Sequence, residues 1–160
     1  MRMTLHTDYA LRMLIMLALK DGKPVTVQQV AEQYGLSRNH LLKVALKLRR
    51  MGVIVTTRGR SGGIALARDA AAINIGSIVR ASEDDFALVE CFRQDGGACL
   101  LSPACRLRGV VRQALDAYLA VFDGYSLADL IQNKAELGLL LQTEPPAPGN
   151  ALQHAESGRG

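Results

Sequence analysis

The chain has 160 residues, nearly half of them apolar, about a fifth charged, with a net charge of +4. That composition excludes a disordered or fibrous chain and leaves one or two small globular domains. The longest apolar run, Met13 to Leu19, is too short to span a bilayer, and Lys20-Asp21 stands where a signal peptide would need small residues. A cytoplasmic chain with reduced thiols is the expectation.

Thr7 to Lys20 is expected to form the first helix, capped by Thr7, with Asp8 in its first turn and Gly22 beyond its end. Thr26 to Tyr34 follows as a short helix opened by the capping box Thr26-Val-Gln-Gln29. Gly35-Leu36 turns the chain. Ser37 then caps a third helix running to Met51, which buries Leu41, Val44, Ala45 and Leu48. Two short helices across a glycine turn, the second basic, form a helix-turn-helix pattern. In that motif the first residues of the second helix reach base edges, so Arg38, Asn39, His40 and Lys43 are candidates for base reading. Lys47, Arg49 and Arg50 are candidates for phosphate contacts. An ordinary helical hairpin with a solvated polar face is the plainer alternative.

Charge segregation weighs against that alternative. From Ser37 to Arg68 there are eight bases and no acid, which leaves eleven bases against fifteen acids elsewhere. One basic block on an otherwise acidic chain marks a polyanion-binding surface. Within it, Val53 to Arg58 and Ile64 to Ala67 read as two strands around a glycine-rich turn, a wing with Arg58 and Arg60 at its tip. Arginine in such a loop suits the narrow minor groove. A nucleotide-binding loop is discounted, because neither a Walker lysine nor a helix follows.

Ile75, Ile78 and Val79 mark a short helix returning to the core. All three cysteines then fall inside fifteen residues, as Cys91, Cys99 and Cys105, the first two flanking a Gly-rich loop. An odd number cannot close into intramolecular disulfides. Three gathered thiols suit a soft metal centre, iron–sulfur or zinc, whereas buried structural cysteines would be scattered. Ser102-Pro103 is expected to open the longest helix, reaching Phe122, with Cys105 just inside it. Its apolar positions Leu107, Val110, Val111, Ala114, Leu115, Tyr118 and Phe122 need more to bury against than a small winged-helix domain supplies, so a second copy in a two-fold dimer is expected. A last short helix is expected over Ser126 to Lys134, followed by Glu136 to Leu141. Thr143 to Gly160, with three of the five prolines, reads as a disordered tail.

The fold class is therefore mainly α with a small β-hairpin wing: a winged helix-turn-helix over residues 1–82, the cysteine loop and dimerisation helices over 83–142, and a tail over 143–160. No ferredoxin run, dinucleotide fingerprint or catalytic grouping stands out, so an enzyme is not expected.

Five stretches carry a resemblance: Thr7-Asp-Tyr-Ala-Leu-Arg-Met-Leu14, Ser37-Arg-Asn-His-Leu41, Arg58-Gly-Arg-Ser-Gly-Gly63, Ser102-Pro-Ala-Cys-Arg-Leu107 and Tyr125-Ser-Leu-Ala-Asp-Leu130. Together, over residues 1 to 142, the chain resembles the iron–sulfur winged-helix regulators that include IscR, and within them the nitric-oxide-sensing repressors. The resemblance implies a homodimer with crossed long helices on a palindromic DNA operator, one iron–sulfur cluster per subunit on Cys91, Cys99 and Cys105, and nitric oxide as the signal. In the nitric-oxide-sensing branch an acid opening the first helix of the partner completes a 4Fe–4S site, and that acid is Asp8 here. IscR-like members use a histidine downstream of the cysteines and hold 2Fe–2S. No histidine lies between His40 and His154. A metal-free or zinc-bound thiol redox regulator, with cysteines beside Arg93 or Arg106 oxidised directly, and an IscR-like regulator of cluster supply are the alternatives.

Overall fold

The computed structural model describes residues 3–59, 62–93, 95 and 97–141. Six α-helices and one two-stranded antiparallel hairpin make up the fold: α1 (Leu5–Leu19), α2 (Val27–Tyr34), α3 (Arg38–Arg50), β1 (Ile54–Thr57), β2 (Gly63–Leu66), α4 (Ile75–Ser82), α5 (Arg106–Asp123) and α6 (Lys134–Leu140). The expected fold class is observed. The tail over 143–160 and Arg60 at the wing tip lie outside the described residues.

α1 is the centre of the core. Ala10, Met13, Leu14, Met16, Leu17 and Ala18 are buried around most of its circumference. It packs against α3, α4, β2, the 129–131 turn and α6. Its cap differs from expectation. Thr4, one turn earlier than Thr7, is the N-cap, and its hydroxyl accepts from the Thr7 N–H at 3.3 Å. Thr7 is wholly buried inside the helix. A distant partner makes the difference, since the Thr4 N–H and hydroxyl both donate to Glu83 Oε1, at 3.0 and 3.2 Å.

α2 opens on the expected capping box. Thr26 Oγ1 accepts from the Gln29 N–H at 3.1 Å, and Gln29 Oε1 accepts from the Thr26 N–H at 2.8 Å. Gly35 then takes a left-handed conformation, φ 61°, and closes the helix through its N–H to the Glu32 carbonyl. Ser37 precedes α3 with no side-chain cap bond. Leu41, Val44, Ala45 and Leu48 are buried as their spacing predicts.

The hairpin pairs Ile54 with Leu66 and Thr57 with Gly63. Val25 adds a bridge to Ile64, with the N–H of each donating to the carbonyl of the other at 2.9 and 2.8 Å. A Cβ on Gly63 would stand 2.7 Å from the Val25 carbonyl oxygen, so glycine is what lets the two backbones meet.

Two expectations about the C-terminal half are corrected. Ser102–Ala104 is a separate 3-10 turn, and Cys105 is extended (φ −78°, ψ 109°), so it sits before α5 and not inside it. The helix runs 18 residues, roughly 27 Å. Ser126 to Lys134 does not form a helix. Ser126 and Asp129 exchange hydrogen bonds, but only a 3-10 turn over Asp129–Ile131 follows. The Asp129 and Ile131 N–H groups bond to carbonyls three residues back, Ser126 and Ala128, the tighter 3-10 pattern, while the Leu127 and Ala128 N–H groups tie the stretch to the Ile73 and Ala70 carbonyls. The last helix, α6, instead begins at Lys134, where the expected one was to end.

A Thr26→Ala substitution is expected to cost about 1 kcal/mol, and Ser37→Ala distinctly less, because only Thr26 satisfies an orphan helix N–H. Urea unfolding at one fixed protein concentration measures both.

Candidate DNA-reading surface and cysteine centre

α3 presents a continuous polar face. Arg38, Asn39, His40, Lys43, Arg49 and Arg50 are exposed, and Lys47 is half-buried. A turn of 100° per residue sorts them. Asn39, Lys43 and Arg50 lie along the outermost line. Arg38 and Arg49 lie on one flank, and His40 and Lys47 on the other. The first flank meets the wing, where Arg49, Val55, Thr56 and Arg58 line an open groove of about 430 Å³. The second flank meets α1, where Leu5, His6, Tyr9, His40, Lys43 and Val44 line a small cavity of about 190 Å³. Burial, with Lys47 nearby, holds the His6 imidazole below its ordinary pKa, and its Nε2 is buried without a partner. Two leucines, Leu42 and Leu46, share the exposed face of α3 and were missed in the sequence reading. A helical wheel alone would have found them.

The three cysteines are free and half-buried. Cys91 lies in a 3-10 turn over Glu90–Phe92, and Cys105 is the residue before α5. Glu90 clasps the loop between the first two cysteines by accepting the Ala98 N–H at 3.0 Å. Gly97, at φ 61°, allows this, because a Cβ there would meet the Glu90 carbonyl oxygen at 2.6 Å. Beside Cys91, Phe92 stacks under the Arg112 guanidinium at 4.5 Å, which ties the loop to α5. Beyond Cys99, Leu100 is 95% and Leu101 70% exposed.

Asp8 sits in the first turn of α1 and is held by Arg12, with Arg12 Nε 3.0 Å from Oδ1 and Nη2 2.9 Å from Oδ2. Within one chain it is not gathered with the cysteines. Among the described residues no group of three or more His, Cys, Asp or Glu stands close enough to hold a metal. The donor set itself fits a soft metal or cluster: three thiols of intermediate exposure on one clasped segment, none paired.

α5 divides its apolar residues between two faces. Leu115 and Leu119 are buried in the core, with Tyr118 and Phe122 packed beside them. Leu107, Val110, Ala114, Ala117 and Val121 form a second stripe that is exposed throughout. Their spacing of three, four, three, four is the a/d pattern of a helix seam. The helix is fastened at its far end, where Asp123 makes a bidentate pair with Arg80 of α4 (Nη2 to Oδ2, 2.7 Å). The hydrogen bond from Arg80 holds the Asp123 carboxyl below the usual carboxylate range. Gly76 makes room, since a Cβ there would run into that carboxylate.

Residues 3–133 match the Rrf2 family model, described as an iron-dependent transcriptional regulator. The chain is 48% identical over 143 residues to the HTH-type transcriptional regulator NsrR of Bacillus subtilis, covering 89% of this chain and 98% of that one. In fold it is similar to T. potens IscR, with a TM-score of 0.67, 24% identity, and 91% and 94% of the two chains covered. It is also similar to CymR, the global cysteine regulator of B. subtilis, with a TM-score of 0.63, 27% identity, and 83% and 98% covered. Among the described residues no helix is long and apolar enough to cross a membrane.

All three cysteines of the metal-free protein are expected to titrate with a thiol reagent without denaturant, because each is free and partly exposed. Absorbance of the released chromophore should report three equivalents per chain, and fewer than three would place a cysteine in the core.

Proposed function

The chain belongs to the Rrf2 family of transcriptional regulators, and we propose that it is a homodimeric DNA-binding repressor whose hold on a palindromic operator depends on an iron–sulfur cluster that senses nitric oxide. The observation that carries this reading is a tether. Three free thiols lie on a segment whose base, Glu83, is bonded to Thr4, the N-cap of α1, and α1 packs directly on the recognition helix. A change in the cysteine segment therefore reaches α3 through one buried helix.

Cys91, Cys99 and Cys105 would hold the cluster, most simply 4Fe–4S, with Asp8 of the partner subunit as the remaining ligand. When bound, the cluster supplies iron open to attack by nitric oxide. The rest of the work falls to protein groups. Arg12 grips both Asp8 oxygens within one chain, and such an exposed pair is worth roughly 1 kcal/mol or less, so freeing the carboxylate costs little. Leu100 and Leu101, bare in the single chain, would be covered on assembly and keep water from the thiols. The seam Leu107, Val110, Ala114, Ala117 and Val121 would pair the long helices of two copies. Pairing would fix the distance between two recognition helices, about one helical turn of DNA apart. On each, Arg38, Asn39, His40 and Lys43 would read base edges, while Lys47, Arg49 and Arg50 would grip phosphate. Arg58 of the wing, with Arg60 beyond the described residues, would enter the minor groove. Detoxification of nitric oxide is the expected output of derepression.

A metal-free thiol regulator is the second reading. It is favoured by the cysteines themselves, which are free and half-exposed.

Anaerobic purification separates the two. The expected protein is brown, carries iron and sulfide, and releases operator DNA on titration with a few equivalents of nitric oxide. Cys99→Ser or Cys105→Ser should lose the colour. A colourless, iron-free protein that ignores nitric oxide sinks the cluster reading. Val110→Asp should leave the fold intact, since the side chain is 61% exposed, and convert the dimer to monomers by sedimentation with weaker operator binding. An unchanged dimer would remove the α5 seam from the interface.

A further inference from the structure

The recognition helix carries two large apolar side chains that its fold does not use. Leu42 is 41% and Leu46 47% exposed, whereas Leu41 and Leu48 on the same helix are fully buried. The two exposed leucines are one helical turn apart, about 6 Å along the axis, and form one apolar strip. Arg38 and Arg49 border it on one side, and Asn39, Lys43 and Arg50 on the other.

We propose that Leu42 and Leu46 determine operator sequence by seating against the 5-methyl groups of thymines in the major groove. This rests on the assignment of α3 to DNA and deepens it. The border of the strip selects the occupant. Four cations surround it, and no acid lies between Ser37 and Arg68 to balance them. A protein partner would need an apolar ridge set in a matching acidic ring. The DNA major groove has the required charge already, and the thymine methyl is the apolar group on its base edges. A leucine placed there accepts thymine. It disfavours cytosine, which carries a hydrogen where thymine carries the methyl and so offers the leucine no apolar contact. The strip thus adds an apolar check to the hydrogen-bonding readers that flank it. Leu42, closer to the helix start where Arg38 and Asn39 stand, makes the deeper contact.

The test uses the full chain, purified anaerobically, and duplexes enriched by it from a randomised library. Each thymine of an enriched duplex is replaced singly by deoxyuridine, which removes only the methyl. Binding is then measured for the natural protein, Leu42→Ala and Leu46→Ala. One or two thymines per half-site should bind about fourfold more weakly as deoxyuridine, the value of one buried methyl-sized group. The matching alanine variant should be indifferent to that replacement. Both variants should keep the helical circular dichroism and the salt dependence of the natural protein. If no thymine responds to loss of its methyl, or if both variants keep the natural protein's full penalty, the proposal is overturned. The latter pattern would instead place the leucines against another protein. A library from which no sequence is enriched overturns the assignment of α3 to base reading, and this inference with it.

Discussion

Met13, Leu14 and Leu17 of α1 are sealed from solvent, and through them one helix holds the recognition helix, the wing, α4 and the C-terminal return in place. A core this dense has no slack, since interiors pack like crystals and a displaced helix must carry its neighbours along. The start of α1 is fixed by its cap on Thr4, and Thr4 is bonded to Glu83 at the root of the cysteine segment. The element that sets the attitude of α3 is thus held at one end by the element that carries the thiols. The sensing proposed for this chain would run through that contact, because a ligand acts at a distance only through an element whose two positions it favours unequally.

The cysteine segment itself is built lightly. Glu90 closes its loop with one hydrogen bond, Arg112 stacks on Phe92, and Leu100 and Leu101 face solvent. Few buried contacts hold it, so its conformation is inexpensive to change. The opposite holds for α4 and the end of α5, where Arg80, Asp123 and Gly76 interlock. The thiols thus sit on a lightly held loop beside a firmly fastened helix junction.

The surface of α3 combines two kinds of chemistry. Cations draw any polyanion, without regard to sequence. Asn39 and the leucine strip are the groups proposed to tell one base from another, by hydrogen bonds and by shape.

How much of this the sequence determines follows from the range of each interaction. The capping box Thr26/Gln29, the turn at Gly35, the buried face Leu41, Val44 and Leu48 and the two wing strands are all set by contacts within a few residues. Each was legible, as were the free thiols and the basic block. Other features depend on partners far along the chain. Glu83, seventy-nine residues away, moved the cap of α1 from Thr7 to Thr4. The carbonyls of Ile73 and Ala70 anchor the stretch after Ser126 to a distant segment before α4. Periodicity showed that α5 is apolar, but only packing divided it into a buried face at Leu115 and Leu119 and a bare seam at Leu107, Val110 and Val121. Local hydrogen bonds and spacing are written in neighbouring residues. Which face is covered, and which carbonyl takes a given N–H, is decided only when distant segments meet.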